Sequence, residues 1–101
     1  MQQIPEKLQH WQFQHKEHSD KAGSALIREF KFASFLEAMQ FMADAAVHID
    51  KANHHPQWEN VYNKVRVRLT TWDAGNSVSD LDIALAIYLE DLYNTSYRHN
   101  V

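Results

Sequence analysis

Two adjacent histidines, His54 and His55, are the residues of this chain whose type and place best suit acid–base chemistry. Imidazole titrates near neutral pH, so a positioned histidine can donate or accept a proton during a reaction. Pro56 follows and favours an extended backbone at His55. We therefore expect the two rings to point in different directions and to serve different roles. Two exposed histidines in a polar loop are the alternative, and the residues by themselves leave both open.

Metal binding is a second possibility that the histidines raise. Asp50 and His54 are four residues apart, and His15 and His18 are three apart, so either pair could share one face of a helix. A zinc site needs three or four ligands, and no spacing here fixes a third. The absence of cysteine excludes disulfides, thiolate zinc sites and cysteine nucleophiles. The two glycines form no phosphate loop, and no serine has the setting of a nucleophile elbow.

A helix in front of the histidine pair and a strand behind it must hold the pair in place. Ser34 and Glu37 have the spacing of a capping box, which begins a helix. That helix is predicted to run to about Ala52, and Asn53 suits its C-terminal cap because asparagine tolerates the left-handed backbone. The predicted buried stripe has helical spacing and consists of Phe35, Met39, Met42, Ala46 and Ile49.

Alternating apolar and polar residues predict four strands, at about residues 11–14, 25–32, 58–62 and 65–71. A tight turn is predicted at Asn63 and Lys64, and loops over residues 15–24 and 73–77. The last strand separates two sets of side chains onto opposite faces: Val65, Val67 and Leu69 against Arg66, Arg68 and Thr70. One apolar and one polar face is typical of an antiparallel sheet that is covered on one side.

Ser79 and Asp82 predict the capping box of a last helix, with Val78 and Ile83 as its hydrophobic staple. The helix is predicted to reach about Asn94, with a frayed tail over residues 95–101 and a buried stripe of Leu81, Leu85, Tyr88 and Leu92. A short helix is predicted over residues 4–10. The sequence thus predicts one α+β domain over residues 1–101: a four-stranded antiparallel sheet with helices packed on one face, in the order α-β-β-α-β-β-α.

Composition narrows the class of protein further. The 101 residues are 45% hydrophobic and carry a formal net charge of −3, which fits an ordinary globular domain. The chain lacks the basic excess that holds a phosphate backbone, so we expect no direct nucleic-acid binding. No apolar run approaches the length of a membrane span, and the first residues are too polar for a signal peptide. A cytoplasmic protein with no membrane partner is expected.

Five segments resemble the pterin-4a-carbinolamine dehydratase family: residues 30–35, 41–42, 53–58, 60–65 and 69–71. They read FKFASF, FM, NHHPQW, NVYNKV and LTT. The spacing pattern of the family is matched by Asp50, His54, His55, Pro56, Tyr62, Trp72 and Asp82. The resemblance covers residues 30 to 86, while the first 24 residues match poorly.

The resemblance implies dehydration of a 4a-hydroxytetrahydropterin to the quinonoid dihydropterin, which recycles tetrahydropterin for aromatic amino-acid hydroxylation. It implies His54 as the leading acid/base and His55 as the second histidine. Asn53 and the segment of Thr70, Thr71, Trp72 and Asp73 would line the substrate pocket, with Asp50, Pro56, Tyr62 and Asp82 in support. No metal or organic cofactor is implied, and family members form homodimers and homotetramers.

Trp72 is the main departure from the animal members of this family, which carry a third histidine there. An indole N–H can donate a hydrogen bond but cannot titrate usefully, although its ring could stack on a pterin or simply pack. The alternative function is therefore a non-enzymatic pterin-binding or protein-interaction module, like the dimerisation cofactor role of animal relatives. Asp82 would equally suit a helix start, and Tyr62 and Trp58 would equally suit sheet packing.

Overall fold

The computed structural model describes residues 5–16, 23–75 and 77–97, without the side chains of residues 16 and 74. Its strands are β1 (Gln12–Lys16), β2 (Gly23–Lys31), β3 (Gln57–Val61) and β4 (Lys64–Leu69), and its helices are α1 (Phe35–Ala52) and α2 (Asp80–Ser96). Short 3₁₀ turns lie at Glu6–Leu8 and Trp72–Ala74. The predicted α+β class and the four-stranded antiparallel sheet are confirmed, although the predicted first helix is only one such turn.

The strands lie in the order β1-β2-β4-β3, and every neighbouring pair is antiparallel. The predicted turn between β3 and β4 was one residue late, because Lys64 already pairs with Val61. The turn is made by Tyr62 and Asn63, with Tyr62 in the left-handed conformation at φ 52°. The Asn60 amide supports it by donating to the carbonyl oxygens of Tyr62 at 3.0 Å and Lys64 at 2.9 Å.

Both helices pack on one face of the sheet, as predicted. Val65, Val67 and Leu69 of β4 are fully buried and belong to one apolar cluster with residues of both helices. Leu26 and Phe30 of β2 belong to the same cluster. The alternation of side chains along a strand therefore located the core face of the sheet correctly.

The predicted stripe of α1 was largely wrong. The buried residues are Ala38, Phe41, Ala45 and Ile49, whereas Phe35 is 49% exposed and Ala46 is exposed. Two adjacent faces of this helix are apolar, so a period of 3.6 residues fits both and cannot choose between them. The two buried alanines let the helix approach the sheet closely.

The two ends of α1 are as predicted. The Ser34 hydroxyl accepts a hydrogen bond from the Glu37 backbone N–H at 3.1 Å, and Asn53 ends the helix in the left-handed conformation at φ 52°. These caps fix where His54 leaves the helix.

The capping box of α2 is confirmed, but of its predicted buried stripe only Leu85 is fully buried. Leu81 is exposed, and the buried apolar residues are Leu85, Ala86, Leu89 and Tyr93. The helix continues to Ser96, so the predicted fraying of residues 95–97 is wrong. Residues 98–101 lie outside the described part. Tyr97 is buried and donates its hydroxyl hydrogen to Asp44 of α1. Burial and the Asp44 carboxylate raise the pKa of Tyr97 above its usual range.

The predicted loops are only partly described. Residues 17–22 lie outside the described part, while β1 and β2 extend into the predicted 15–24 loop from either side. The 73–77 loop contains the end of the second 3₁₀ turn and Gly75, whose φ of 72° suits glycine. None of the described helices has the length and apolar character needed to cross a membrane.

Candidate active site

His54 forms a short hydrogen bond with a buried carboxylate. Its Nε2 lies 2.6 Å from Oδ1 of Asp82, where α2 begins. The His54 side chain is 13% exposed and that of Asp82 is fully buried. A carboxylate only accepts hydrogen bonds, so Nε2 donates and Nδ1 is left to exchange a proton. Within the described part of the chain, Nδ1 has no hydrogen-bond partner.

The second oxygen of Asp82 is held by its own set of donors. Oδ2 accepts from the Thr71 hydroxyl at 2.7 Å and from the Ser79 backbone N–H at 2.9 Å. Thr71 is placed by a backbone hydrogen bond from its N–H to the Ser77 carbonyl oxygen at 3.0 Å, just beyond β4. The end of α1, the end of β4 and the start of α2 therefore meet at this carboxylate.

His55 has different surroundings from His54. It is exposed and lines an open, mainly apolar cleft of about 590 Å³ at the end of α1. We call this the helix-end cleft; its lining is Ala46, Val47, Ile49, Asp50, Lys51, His55, Pro56 and Trp58. It brings together three of the predicted site residues, Asp50, His55 and Pro56.

A second cleft, of about 300 Å³, lies at the start of α2 and contains two further predicted residues, Thr71 and Asp73. We call it the turn cleft; Ser79, Asp80 and Leu81 complete its lining. His54 precedes His55 of the helix-end cleft in the chain, and Asp82 follows Leu81 of the turn cleft, while neither His54 nor Asp82 is itself a lining residue of these clefts. The predicted site residues are thus divided between two openings and the His54–Asp82 contact.

Other predicted residues are placed less favourably for substrate contact. The Thr70 hydroxyl donates to the Ser24 carbonyl oxygen at 2.8 Å, so its hydrogen is already used. Asn53 is exposed at the helix cap, and Trp72 is 80% exposed. Tyr62 lies in the turn at the far end of β3, roughly 20 Å along the strand from Pro56. Within one copy of the chain, the structure does not bring Tyr62 to the His54–Asp82 pair.

Ser79 is the site residue that sequence reasoning missed. It was predicted only as a helix cap, yet its backbone N–H and hydroxyl both lie beside Asp82, the hydroxyl at 3.4 Å from Oδ2. The capping box itself was the available signal, because it joins Ser79 to a residue of the family pattern. No group of three metal-ligating side chains occurs among the residues that the structure describes.

The arrangement has the parts of a proton-transfer site. A buried carboxylate beside an imidazole stabilises the imidazolium that forms when the ring takes up a proton. The same contact fixes the ring orientation and leaves its second nitrogen as the exchanging atom. The chain neighbours of this pair, His55 and Leu81, line two open clefts.

Known proteins are similar to this chain in sequence and in fold. The chain is 49% identical over 69 residues to a protein of Rhizobium leguminosarum bv. trifolii, an alignment that covers 68% of this chain and 67% of the relative. A protein of Opitutus terrae is 40% identical over 92 residues, covering 91% of this chain and 87% of the relative. Both bear the provisional name of a pterin-4-alpha-carbinolamine dehydratase.

Two solved structures resemble the fold. A Brucella melitensis protein described as a transcriptional coactivator/pterin dehydratase is 39% identical, with a TM-score of 0.69 over 83% of this chain and 82% of that one. A pterin dehydratase-like protein described as a RuBisCO assembly factor of the alpha-carboxysome has a TM-score of 0.67, over 89% of this chain and 96% of that one. At 20% identity, the second likeness extends to the fold alone.

A family model placed on the sequence agrees with the relatives. The model for pterin 4 alpha carbinolamine dehydratase matches residues 1–92, which include the histidine pair, Trp72 and Asp82. This match extends over most of the chain, including the first 24 residues, for which the sequence motifs gave little indication. The chain therefore belongs to the pterin-4-alpha-carbinolamine dehydratase family.

Proposed function

We propose that this protein dehydrates a 4a-hydroxytetrahydropterin to the quinonoid dihydropterin, with His54 as the principal acid/base. The observation that carries the proposal is the 2.6 Å contact between His54 Nε2 and the buried Asp82, in a chain of this family. The contact holds the imidazole in one orientation and stabilises its protonated form.

The reaction needs two proton transfers and no redox partner. The C4a–O bond breaks, the hydroxyl takes up a proton and leaves as water, and N5 loses a proton as the C4a=N5 bond forms. Protonated His54 donates from Nδ1 to the departing hydroxyl. His55 or a water molecule accepts the N5 proton, so that one water is lost and the charges balance.

The two clefts suggest how the substrate is held. Small-molecule pockets typically have volumes of about 300–1,000 Å³, and the helix-end cleft is within that range. In this proposal Trp72 offers an exposed ring for stacking, while Asn53 and Asp73 offer polar contacts. Thr70 would contribute through its backbone, since its hydroxyl is bound to Ser24.

Assembly and location are part of the same proposal. The edge strands β1 and β3 each have one unpaired side within the described sheet, which is where a second copy could add. We propose a homodimer or homotetramer in the cytoplasm that serves tetrahydropterin recycling. Sedimentation should then give a mass of at least twice 11.9 kDa at micromolar concentration; a single 11.9 kDa species would contradict this.

The direct test is the dehydration rate of a 4a-hydroxytetrahydropterin with the purified protein, measured against the uncatalysed reaction. We expect acceleration that scales with protein concentration and is lost in His54→Ala. A folded protein with no acceleration would refute the proposal.

A second candidate function is a non-enzymatic pterin-binding or protein-interaction module. Trp72 favours it, because a side chain that cannot titrate stands where animal relatives have a histidine. The description of the Brucella melitensis relative as both coactivator and dehydratase is consistent with either role. A wild-type protein that binds a pterin analogue but never turns over would support this candidate.

A further inference from the structure

We infer that Thr71 is a positioning residue: its hydroxyl fixes the Asp82 carboxylate against His54 and does not contact the substrate. The inference deepens the proposed function, because it rests on His54 being the acid/base. It also changes the role of Thr71, which the resemblance to the family placed in the lining of the substrate pocket.

The first argument is that the two oxygens of Asp82 have different hydrogen-bond partners. Oδ2 is held from two directions, by the Thr71 hydroxyl at 2.7 Å and the Ser79 backbone N–H at 2.9 Å. These two donors set the plane of the carboxylate and leave Oδ1 facing Nε2 of His54 at 2.6 Å. Asp82 is fully buried, so bulk water does not replace a lost donor.

The second argument is a count of the hydroxyl hydrogens. Thr71 has one, and its contact with Asp82 uses it. The 2.5 Å contact between the Thr71 and Ser79 hydroxyl oxygens must then use the hydrogen of Ser79. Ser79 Oγ accepts in turn from the Leu81 backbone N–H at 3.3 Å. All donors therefore point towards the carboxylate, and Thr71, at 7% exposure, has no hydrogen left for a pterin.

A methyl group in place of this hydroxyl would disturb the pair that lies beyond it. A carbon atom approaches a carbonyl-type oxygen to about 3.3–3.6 Å, not to the 2.7 Å that Thr71 Oγ1 reaches. In Thr71→Val the carboxylate must therefore shift by roughly 0.6–0.9 Å, which takes Oδ1 away from His54. Because a misplacement of about 1 Å can cost ~10²-fold in rate, we expect a loss on the order of tenfold.

The kinetic test compares three variants in the dehydration assay. Thr71→Val should lower kcat about tenfold and change KM by less than about twofold, since the hydroxyl makes no substrate contact. Thr71→Ser keeps the hydroxyl and should retain wild-type kcat within about twofold. Thr95→Val removes an exposed hydroxyl elsewhere on α2, which is bound to the Asp91 carbonyl oxygen, and should leave both constants unchanged. A raised KM with unchanged kcat in Thr71→Val would identify a substrate contact and overturn the inference.

A second measurement does not depend on turnover. The Nε2–H proton of His54 makes a short hydrogen bond to a carboxylate and should therefore give a downfield NMR resonance. The resonance is observed in protein labelled with ¹⁵N-histidine and is assigned by its absence in His54→Gln. Thr71→Val should move it upfield, while Thr71→Ser and Thr95→Val should not. An unchanged resonance in Thr71→Val overturns the inference whatever the kinetics.

The same resonance separates failure of this inference from failure of the proposed function. A wild-type protein without turnover refutes the proposed function, and the response of the resonance to Thr71→Val then decides the positioning role alone. If Thr71→Val does not fold, Ser79→Gly is the substitute, because it removes the hydroxyl that donates to Thr71 and lies 3.4 Å from Oδ2, and keeps the N–H on Asp82. We expect a smaller upfield shift there, and no shift would overturn the inference.

Discussion

Asp82 and Glu90 are two buried carboxylates of α2 with different kinds of partner, a histidine and an arginine. Asp82 contacts His54, a side chain of the type most often used for acid–base catalysis. Glu90 accepts from Nε of Arg28 at 3.1 Å and from Nη2 at 3.2 Å, and arginine stays charged. Glu90 also accepts from the Trp11 indole N–H at 2.8 Å. In the proposed function one carboxylate supports the exchange of a proton, whereas the other links α2, β2 and the N-terminal segment.

The surroundings of the two carboxylates match this difference. Arg28 lies over the Phe30 ring, 4.4 Å from its centroid, so the pair around Glu90 is enclosed by the aromatic core. At the pair around Asp82, the His54 side chain is 13% exposed and keeps some solvent contact. Burial of a charge therefore does not mark a functional site by itself; the partner and the access of solvent decide.

The largest expected effect is on stability and comes from Glu90. Glu90→Gln leaves Arg28 without its counter-charge, and breaking a buried pair costs about 3–5 kcal/mol. Arg28 is 15% exposed and can reach some water, so we expect about 3 kcal/mol. Urea unfolding should then shift its midpoint down by roughly 1–3 M.

The matched control for Glu90 is its neighbour on the same helix. Asp91→Asn breaks a half-exposed pair with Lys7, which should cost about 0–1 kcal/mol. Both variants should keep the wild-type dehydration rate per folded molecule. A Glu90→Gln protein as stable as Asp91→Asn would remove the structural half of the comparison.

The next effect is on catalysis and comes from His54. We expect His54→Ala to lower dehydration by at least ~10²-fold, since a positioned acid/base group contributes about 10²–10⁴-fold. His55→Ala is the control, with a smaller loss or an effect through KM, because His55 lines the helix-end cleft without a carboxylate partner among the described residues. Circular dichroism establishes that each variant is folded. Wild-type turnover by a folded His54→Ala protein would eliminate the proposed mechanism.

The contrast also shows what the sequence could and could not predict. The last strand was predicted well, because strict alternation of valine and arginine leaves one possible inward face. The buried stripe of α1 was predicted poorly, because two neighbouring faces of the helix are apolar. The Arg28–Glu90 pair joins residues 62 apart, and no local pattern connects them. An arginine at an inward position of β2, between Leu26 and Phe30, was the one signal of a buried partner.

Asp82 illustrates how two competing interpretations can both hold. The sequence allowed it to be either a helix-start residue or a residue of the site. In the structure its Oδ2 completes the capping box with Ser79, and its Oδ1 contacts His54. Spacing could place Asp82 in the family pattern, but only the fold brings it to a histidine 28 residues away.

A third carboxylate, Asp44, accepts the hydroxyl hydrogen of Tyr97, and this pair makes stability depend on pH in the alkaline range. Burial, followed by the hydrogen bond to Asp44, raises the pKa of Tyr97 above its unfolded value of about 10. Above that pH the unfolded chain loses this proton while the folded chain keeps it, so stability falls as pH rises, by about 1.4 kcal/mol per unit. Below pH 10 the contribution of this group is constant.

Tyr97→Phe isolates that contribution. Urea unfolding at pH 9 and pH 11 should show a smaller loss of stability in Tyr97→Phe than in the wild type, because the remaining tyrosines affect both proteins equally. Equal losses would mean that the buried hydroxyl ionises as easily in the folded state as in the unfolded state.

The smallest expected effect on activity comes from Trp72. Trp72→His places a histidine where the animal members of the family have one, and so tests whether a further side chain that can transfer a proton raises the rate. Trp72 is 80% exposed, so Trp72→His leaves no cavity and should not change the free energy of unfolding by more than about 0.5 kcal/mol. The imidazole adds a second group that can transfer a proton near neutral pH. We therefore expect kcat to be unchanged or raised by up to about tenfold.

Trp72→Phe is the control, since it keeps a ring for stacking but offers no proton. If both variants lose activity with a raised KM, the indole itself binds the substrate, and the exposed tryptophan is a binding residue rather than a lost acid.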